Sequence, residues 1–210
     1  MVGMAGWVAR PFFHRPPSHG DNRQTGGELM DSGATGEGRG RQGGRLVVDK
    51  SWDGRVLAAS ARAQVSFELG PAGLTIVVRA PFYNDPPPPA LAGELDGLWE
   101  YEVVELFLLG PAGRYLEVEL GPHGHYLVLL MAGVRQRDKR LAPSHSAPLI
   151  LGSHWQTTLV VPDQELPLPF SHANAYAIHG QGAARRYQAA FAVPGPRPDF
   201  HQPRFFQPLS

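Results

Sequence analysis

The chain has 210 residues, 42% of them hydrophobic, with 19 basic and 19 acidic side chains and no formal net charge. That is enough apolar chain for one buried core and short for two, and the charge balance leaves no electrostatic footprint for nucleic acid or an anionic membrane surface. There is no cysteine, which excludes disulfides, thiolate nucleophiles and zinc ribbons, and no apolar run approaches the roughly 18 residues of a membrane helix.

Residues 1–44 hold eleven glycines and almost no aliphatic periodicity. They bury too little apolar surface to offset their ordering entropy, so the pattern predicts a disordered tail. The leader MVGMAGWVARPFFHRPPSHG lacks the continuous apolar stretch of a secretory signal, which points to a cytoplasmic protein. Arg10 and Arg15, with no acid before Asp21, have the charge of an organelle transit peptide, but Pro11, Pro16 and Pro17 break the amphipathic helix such a peptide needs. Composition changes abruptly at Arg45-Leu46-Val47-Val48, which divides a tail over 1–44 from a folded domain over 45–210.

From there short β-type runs alternate with turns. Strands are expected at 46–52, 64–69, 74–80, 101–109, 114–120, 125–131, 154–161, 175–179 and 186–193. Three joints are Gly-Pro-x-Gly: Gly70-Pro71-Ala72-Gly73, Gly110-Pro111-Ala112-Gly113 and Gly121-Pro122-His123-Gly124. Proline presets φ and glycine supplies positive φ, so each predicts an antiparallel hairpin. About nine strands without helical periodicity define an all-β, antiparallel two-sheet β-sandwich.

The run Val103-Val104-Glu105-Leu106-Phe107-Leu108-Leu109 is apolar on both faces, as in a central strand covered on both sides. Glu105 interrupts it, on the face of Val103, Phe107 and Leu109, where a carboxylate needs a partner or loses its charge. In the next strand Leu116, Val118 and Leu120 face one way and Tyr115, Glu117 and Glu119 the other. If the hairpin pairs as its turn suggests, Glu105 meets Glu117 or Glu119. A tyrosine beside clustered carboxylates suits a polyol, because carboxylates accept from sugar hydroxyls and aromatic faces pack on C–H groups. The alternative is a solvated sheet face whose acids pair with Arg79, Arg114 or Arg186.

The stretch DPPPPALAGELDGLWEYEVVELFLLGPAGRYLEVELGPHGHYLVLLMAG (85–133), with AYAIHG (175–180) and PDFH (198–201), resembles a family of animal and bacterial proteins that carries only an uncharacterised-protein designation. The likeness runs with gaps from Trp52-Asp53-Gly54 to His201. More distantly, the pattern is similar to the DOMON-like and family-nine carbohydrate-binding-module superfamily. The resemblance implies a sandwich and, by analogy, a ligand site on a sheet face or its rim; fold analogy assigns no activity.

Other constellations carry weaker chemistry. Glu117 and Glu119 should place their carboxyls roughly 6–7 Å apart, as a glycosidase pair requires, though such pairs are common on polar sheet faces. His123-Gly124-His125 could offer two imidazoles to a metal, but His123 lies inside a turn with no ligand partner near in sequence. Trp99 is either a stacking platform at the rim or a plug for the sandwich end. The tetraproline 86–89 reads as a stiff polyproline II loop, with an SH3 or WW docking segment as the alternative. His179 sits at a strand end as a structural histidine, and Arg185-Arg186 could neutralise the acidic face.

The sequence therefore predicts a non-catalytic binding domain for a small polar ligand, carbohydrate being the first candidate. Its site residues are Glu105, Glu117, Glu119 and Tyr115, with Trp99 at the rim; no metal, cofactor, nucleic acid or membrane partner is expected. A hydrolase using the paired glutamates and a protein-interaction domain are the alternatives.

Overall fold

A computed structural model describes residues 42–209; the expected tail lies outside them but for its last three residues. In chain order the strands are β1 (Gly43–Val48), β2 (Lys50–Ser51), β3 (Ala63–Gly70), β4 (Gly73–Pro81), β5 (Gly93–Glu94), β6 (Val103–Leu109), β7 (Tyr115–Leu120), β8 (His125–Gly133), β9 (Gln136–Arg140), β10 (Ser144–His145), β11 (Leu149–Leu151), β12 (His154–Val161), β13 (His172–His179), β14 (Arg186–Ala189) and β15 (Gln207–Pro208). The first sheet runs β1-β3-β4-β12-β10, with β11 also on β12. The second runs β2-β14-β13-β6-β7-β8-β5, with β9 on β8 and β15 on β13. Pairing is antiparallel except between β5 and β8. The domain is an all-β two-sheet sandwich.

Each of the three Gly-Pro-x-Gly joints closes an antiparallel hairpin, β3–β4, β6–β7 and β7–β8. In the second of them Ala112 and Gly113 both take positive φ, 56° and 74°. A side chain at Gly113 would be strained there, and Ala112 is tolerated as a single left-handed residue.

The nine expected strands are all present, with shifted ends. The first begins at Gly43 rather than Leu46, and Gln42 just ahead of it exchanges hydrogen bonds with the Phe170 backbone, its amide oxygen accepting at 3.0 Å and its amide nitrogen donating at 2.8 Å. That same run divides after Val48, because Lys50-Ser51 leaves the first sheet and pairs with β14 in the second. β9 went unpredicted: Gln136-Arg137-Asp138-Lys139-Arg140 is exposed throughout and has no apolar alternation to betray it. The remaining additions are two- or three-residue pairings, too short to leave a periodic signal.

Two apolar clusters follow from strand alternation. Between the sheets lie Val65, Ile76, Leu106, Leu116, Val118, Leu130, Trp155 and their neighbours. On the outer face of the second sheet lies a separate cluster, Val103, Phe107, Tyr115, Leu129, Tyr176, Phe200 and Phe206 among them. The C-terminal segment that carries Phe200 and Phe206, together with the turn at Leu98–Glu100, covers a face that would otherwise meet water. No helix among the described residues is long and apolar enough to cross a membrane.

Candidate binding site

The β6–β7 hairpin sets Glu105 opposite Glu119 and Phe107 opposite Glu117, and β13 sets Tyr176 opposite Glu105. Since β7 alternates, Tyr115, Glu117 and Glu119 leave the sheet on one side, the side of Glu105. The sequence expected these four side chains together, and the register brings them together. Their surroundings differ from a solvated face. Glu105, Glu117, Glu119 and Tyr115 are 3%, 4%, 0% and 0% exposed.

Above them is a cavity of about 380 Å³, with Glu105 and Glu117 in its floor, Trp99, Tyr187, Phe200 and His201 in its walls and Arg135 and Arg137 at its mouth. Glu119 is enclosed beneath. Trp99 belongs to the short turn Leu98–Glu100, anchored by buried Leu98 and by Arg185, whose guanidinium donates to the carbonyls of Trp99, Glu100 and Gly180. Arg137 lies over the Trp99 ring, 5.3 Å from its centroid. Trp99 thus serves as a wall of the cavity and as part of the cover.

Both oxygens of Glu119, and Oε2 of Glu117, are buried without a hydrogen-bond partner. Burial drives the Glu105 and Glu119 carboxyls well above the ordinary range, and the neighbouring acids add to it, Glu117 acting on Glu105 and both Glu105 and Glu117 on Glu119. Glu117 is pushed up to about 7 by burial, against the pull of Arg137 and Arg135. Burial thus favours the protonated form of all three floor acids.

His201 closes one side. Its Nδ1 lies 2.7 Å from the Tyr115 hydroxyl and 3.9 Å from Glu117 Oε2. Burial, reinforced by Arg135, lowers the imidazole to about 4, so it is neutral at pH 7 and the longer contact is no ion pair. Tyr115 donates to Nδ1 and accepts from the Arg135 backbone N–H at 3.3 Å; burial raises its phenol to about 12.

The arginines weighed as partners for the acids lie elsewhere. Arg79 is exposed on the first sheet, Arg114 pairs with Asp138, and Arg186 donates to the carbonyls of Ala183 and Arg185. Arg185 reaches carbonyls rather than carboxyls. His123 and His125 approach two different carbonyls, those of Asp85 at 3.3 Å and Ala90 at 3.0 Å, and so pin the loop containing the tetraproline. Glu102 holds the same loop by accepting from the Tyr83 and Asp85 N–H groups, and His179 stacks on Tyr83 with ring centroids 3.5 Å apart.

Sequence reasoning missed Arg135, Arg137, Tyr187, Asp199, Phe200 and His201. The PDFH segment carried a signal, being a conspicuous polar-aromatic island after a Pro-Gly-rich stretch, but its distance from β7 along the chain hid its destination. Arg135 and Arg137 flank the start of β9, the strand that left no periodic trace.

Fold and site define a β-sandwich domain with an acid-floored pocket on the outer face of one sheet. The chain belongs to the UPF0462 family. It is 40% identical over 153 residues to the UPF0462 protein C4orf33 homolog of Danio rerio, covering 69% of this chain and 78% of that protein. The Mus musculus homolog is 38% identical over 78% of this chain and 89% of its own, and the Homo sapiens protein 34% identical over 76% and 84%. No family profile matches the sequence. Among solved structures, a Bacteroides uniformis protein described as a "putative carbohydrate-binding protein" superposes with a TM-score of 0.56 at 16% identity, covering 79% of this chain and 85% of that one. That likeness concerns the fold.

Proposed function

We propose that the chain is a non-catalytic binding domain that takes a small hydroxyl-rich ligand, a mono- or disaccharide, in the cavity over Glu105 and Glu117, in the manner of DOMON-like and family-nine carbohydrate-binding modules. The observation that carries this is the buried, unpartnered Oε2 of Glu117 in the floor of a cavity of about 380 Å³, a size suited to a small ligand. A polyol hydroxyl both donates and accepts, so it satisfies a carboxyl in either protonation state. The Trp99, Tyr187 and Phe200 walls suit the C–H faces of a sugar ring. The description of the Bacteroides uniformis neighbour as a "putative carbohydrate-binding protein" supports the same reading by analogy of fold.

A glycosidase would need its two acids on opposite sides of the scissile bond. Here the acids stand on adjacent strands of one floor, which favours binding over hydrolysis. The test is calorimetry of the full chain against a panel of mono- and oligosaccharides, with aryl glycosides included. Binding without release of the aryl alcohol is expected. Failure of every sugar at millimolar concentration overturns the proposal, and turnover abolished by Glu117→Gln replaces it with the hydrolase.

A further inference from the structure

The cavity's charge distribution narrows the ligand further. Every arginine at its mouth is already held by an acid outside the floor. Arg135 pairs with Asp199 at 2.6 Å and Arg137 with Asp96 at 2.9 Å. The mouth is thus balanced within itself, and no guanidinium hydrogen-bonds a floor carboxyl. The floor has three acids, none of them in an ion pair with an arginine or lysine. Glu117, with a side chain 5% exposed, lines the cavity and has an oxygen that no protein donor reaches.

We propose that the ligand carries an ammonium group on its polyol ring, as an amino sugar with a free amine does, and that Glu117 is the group that accepts from it. This rests on the polyol reading above. A neutral hydroxyl gives the floor one donor and no charge; an ammonium gives three donors and the missing countercharge. Charge-assisted contacts of this kind gain strength where water is excluded. The walls suit a cation as well: Trp99, Tyr187 and Phe200 present aromatic rings, and Arg137 already lies over Trp99, the arrangement expected of a cation drawn to an indole face.

The titratable groups around the floor are Tyr115, Glu117 and Glu119 on β7, Glu105 on β6, Tyr176 on β13 opposite Glu105, Arg135 and Arg137 beyond β8, and Asp199 and His201 from the C-terminal segment. His201 is neutral, and the two arginines are committed to aspartates. Glu117, raised to about 7, is partly protonated near neutral pH, so an incoming ammonium shifts it to the carboxylate and the released proton passes to the buffer.

The experiment is calorimetry of the full chain with D-glucosamine, D-glucose and N-acetyl-D-glucosamine, near neutral pH and in two buffers of different ionisation enthalpy. Glucosamine should bind about tenfold tighter than either neutral sugar, and only its heat should depend on the buffer. Glu117→Gln should bring glucosamine down to the level of glucose. The N-acetyl comparison removes the charge from the ligand and needs no variant, so it decides the matter even if Glu117→Gln folds poorly. Glucose binding as tightly as glucosamine overturns the ammonium and leaves the polyol reading standing. If no sugar of any kind binds, the polyol reading fails first and takes the ammonium with it.

Discussion

On the face of the second sheet that looks into the sandwich, β6, β7 and β8 present Val104, Leu106, Leu108, Leu116, Val118, Leu120, Val128 and Leu130. One residue along each strand, the opposite face presents Val103, Glu105, Phe107, Tyr115, Glu117, Glu119, Leu127 and Leu129. The same hairpins and turns build both, and both are buried. The inner face is aliphatic, satisfied by contact alone. On the outer face, carboxyls are buried with hydrogen-bonding capacity unused, at a cost of a few kcal/mol for each group left without a partner. A fold that needed only stability would place leucine there. On the proposal above, stability rests with one face and recognition with the other.

The largest effect that should separate the two faces comes from the inner one. Leu116 is fully buried, and Leu116→Ala should cost about 2–5 kcal/mol in urea unfolding, through lost transfer free energy plus a residual cavity. Its Cβ leaves the sheet away from the pocket, so the molecules that remain folded should bind sugar as the parent does. A loss of affinity in the folded fraction would show that the faces are not separable.

A smaller effect belongs to the outer face and is read by pH. In the unfolded chain Glu117 ionises near 4.5, whereas in the fold it keeps its proton to about 7. Between those values the folded chain binds more protons than the unfolded one, so stability falls as pH rises. The contribution is full below the lower value and lost above the upper one, on the order of 3 kcal/mol in all. Glu105 and Glu119, also raised, act in the same direction. Urea unfolding at about pH 5 and about pH 8 should show the decline, and Glu117→Gln should flatten it. A parent protein more stable at the higher pH would mean that the floor acids are ionised and paired.

Much of this contrast was legible in the chain. Period-2 alternation in 115–120 separates Tyr115, Glu117 and Glu119 from Leu116, Val118 and Leu120, and the Gly-Pro-Ala-Gly turn fixes the hairpin that brings Glu105 to Glu119. Local rules reach that far because register depends on the turn and the pleat. They do not reach the cover. Whether an acidic face meets water depends on where Phe200, His201 and Phe206 return, some eighty residues later along the chain, and no period in the sequence encodes that return. The same gap explains the arginines. Arg79 and Arg186 are strand residues and Arg114 directly precedes a strand, all with plausible spacing, yet the cations that act on Glu117 are Arg137 and Arg135, beside an exposed strand with no alternation.

The smallest predicted effect tests that last point. Arg114 and Asp138 form an ion pair with both side chains 43% exposed, and Arg137 and Asp96 form one that is equally open to solvent. Removing either arginine should therefore change global stability by less than about 1 kcal/mol, and denaturation alone will not distinguish them. Their effects on the floor differ. Arg137 is the strongest of the influences that favour ionised Glu117, so Arg137→Ala should move the Glu117 titration above its parent value, read from carboxyl carbon shifts in an NMR pH series. Arg114→Ala should leave that titration where it is, because the cations that act on Glu117 are Arg137 and Arg135. Equal displacement by both variants would mean that the acids respond to the summed surface charge rather than to the pocket mouth. The outer face would then lose the local electrostatic character that distinguishes it from the solvated strands around it.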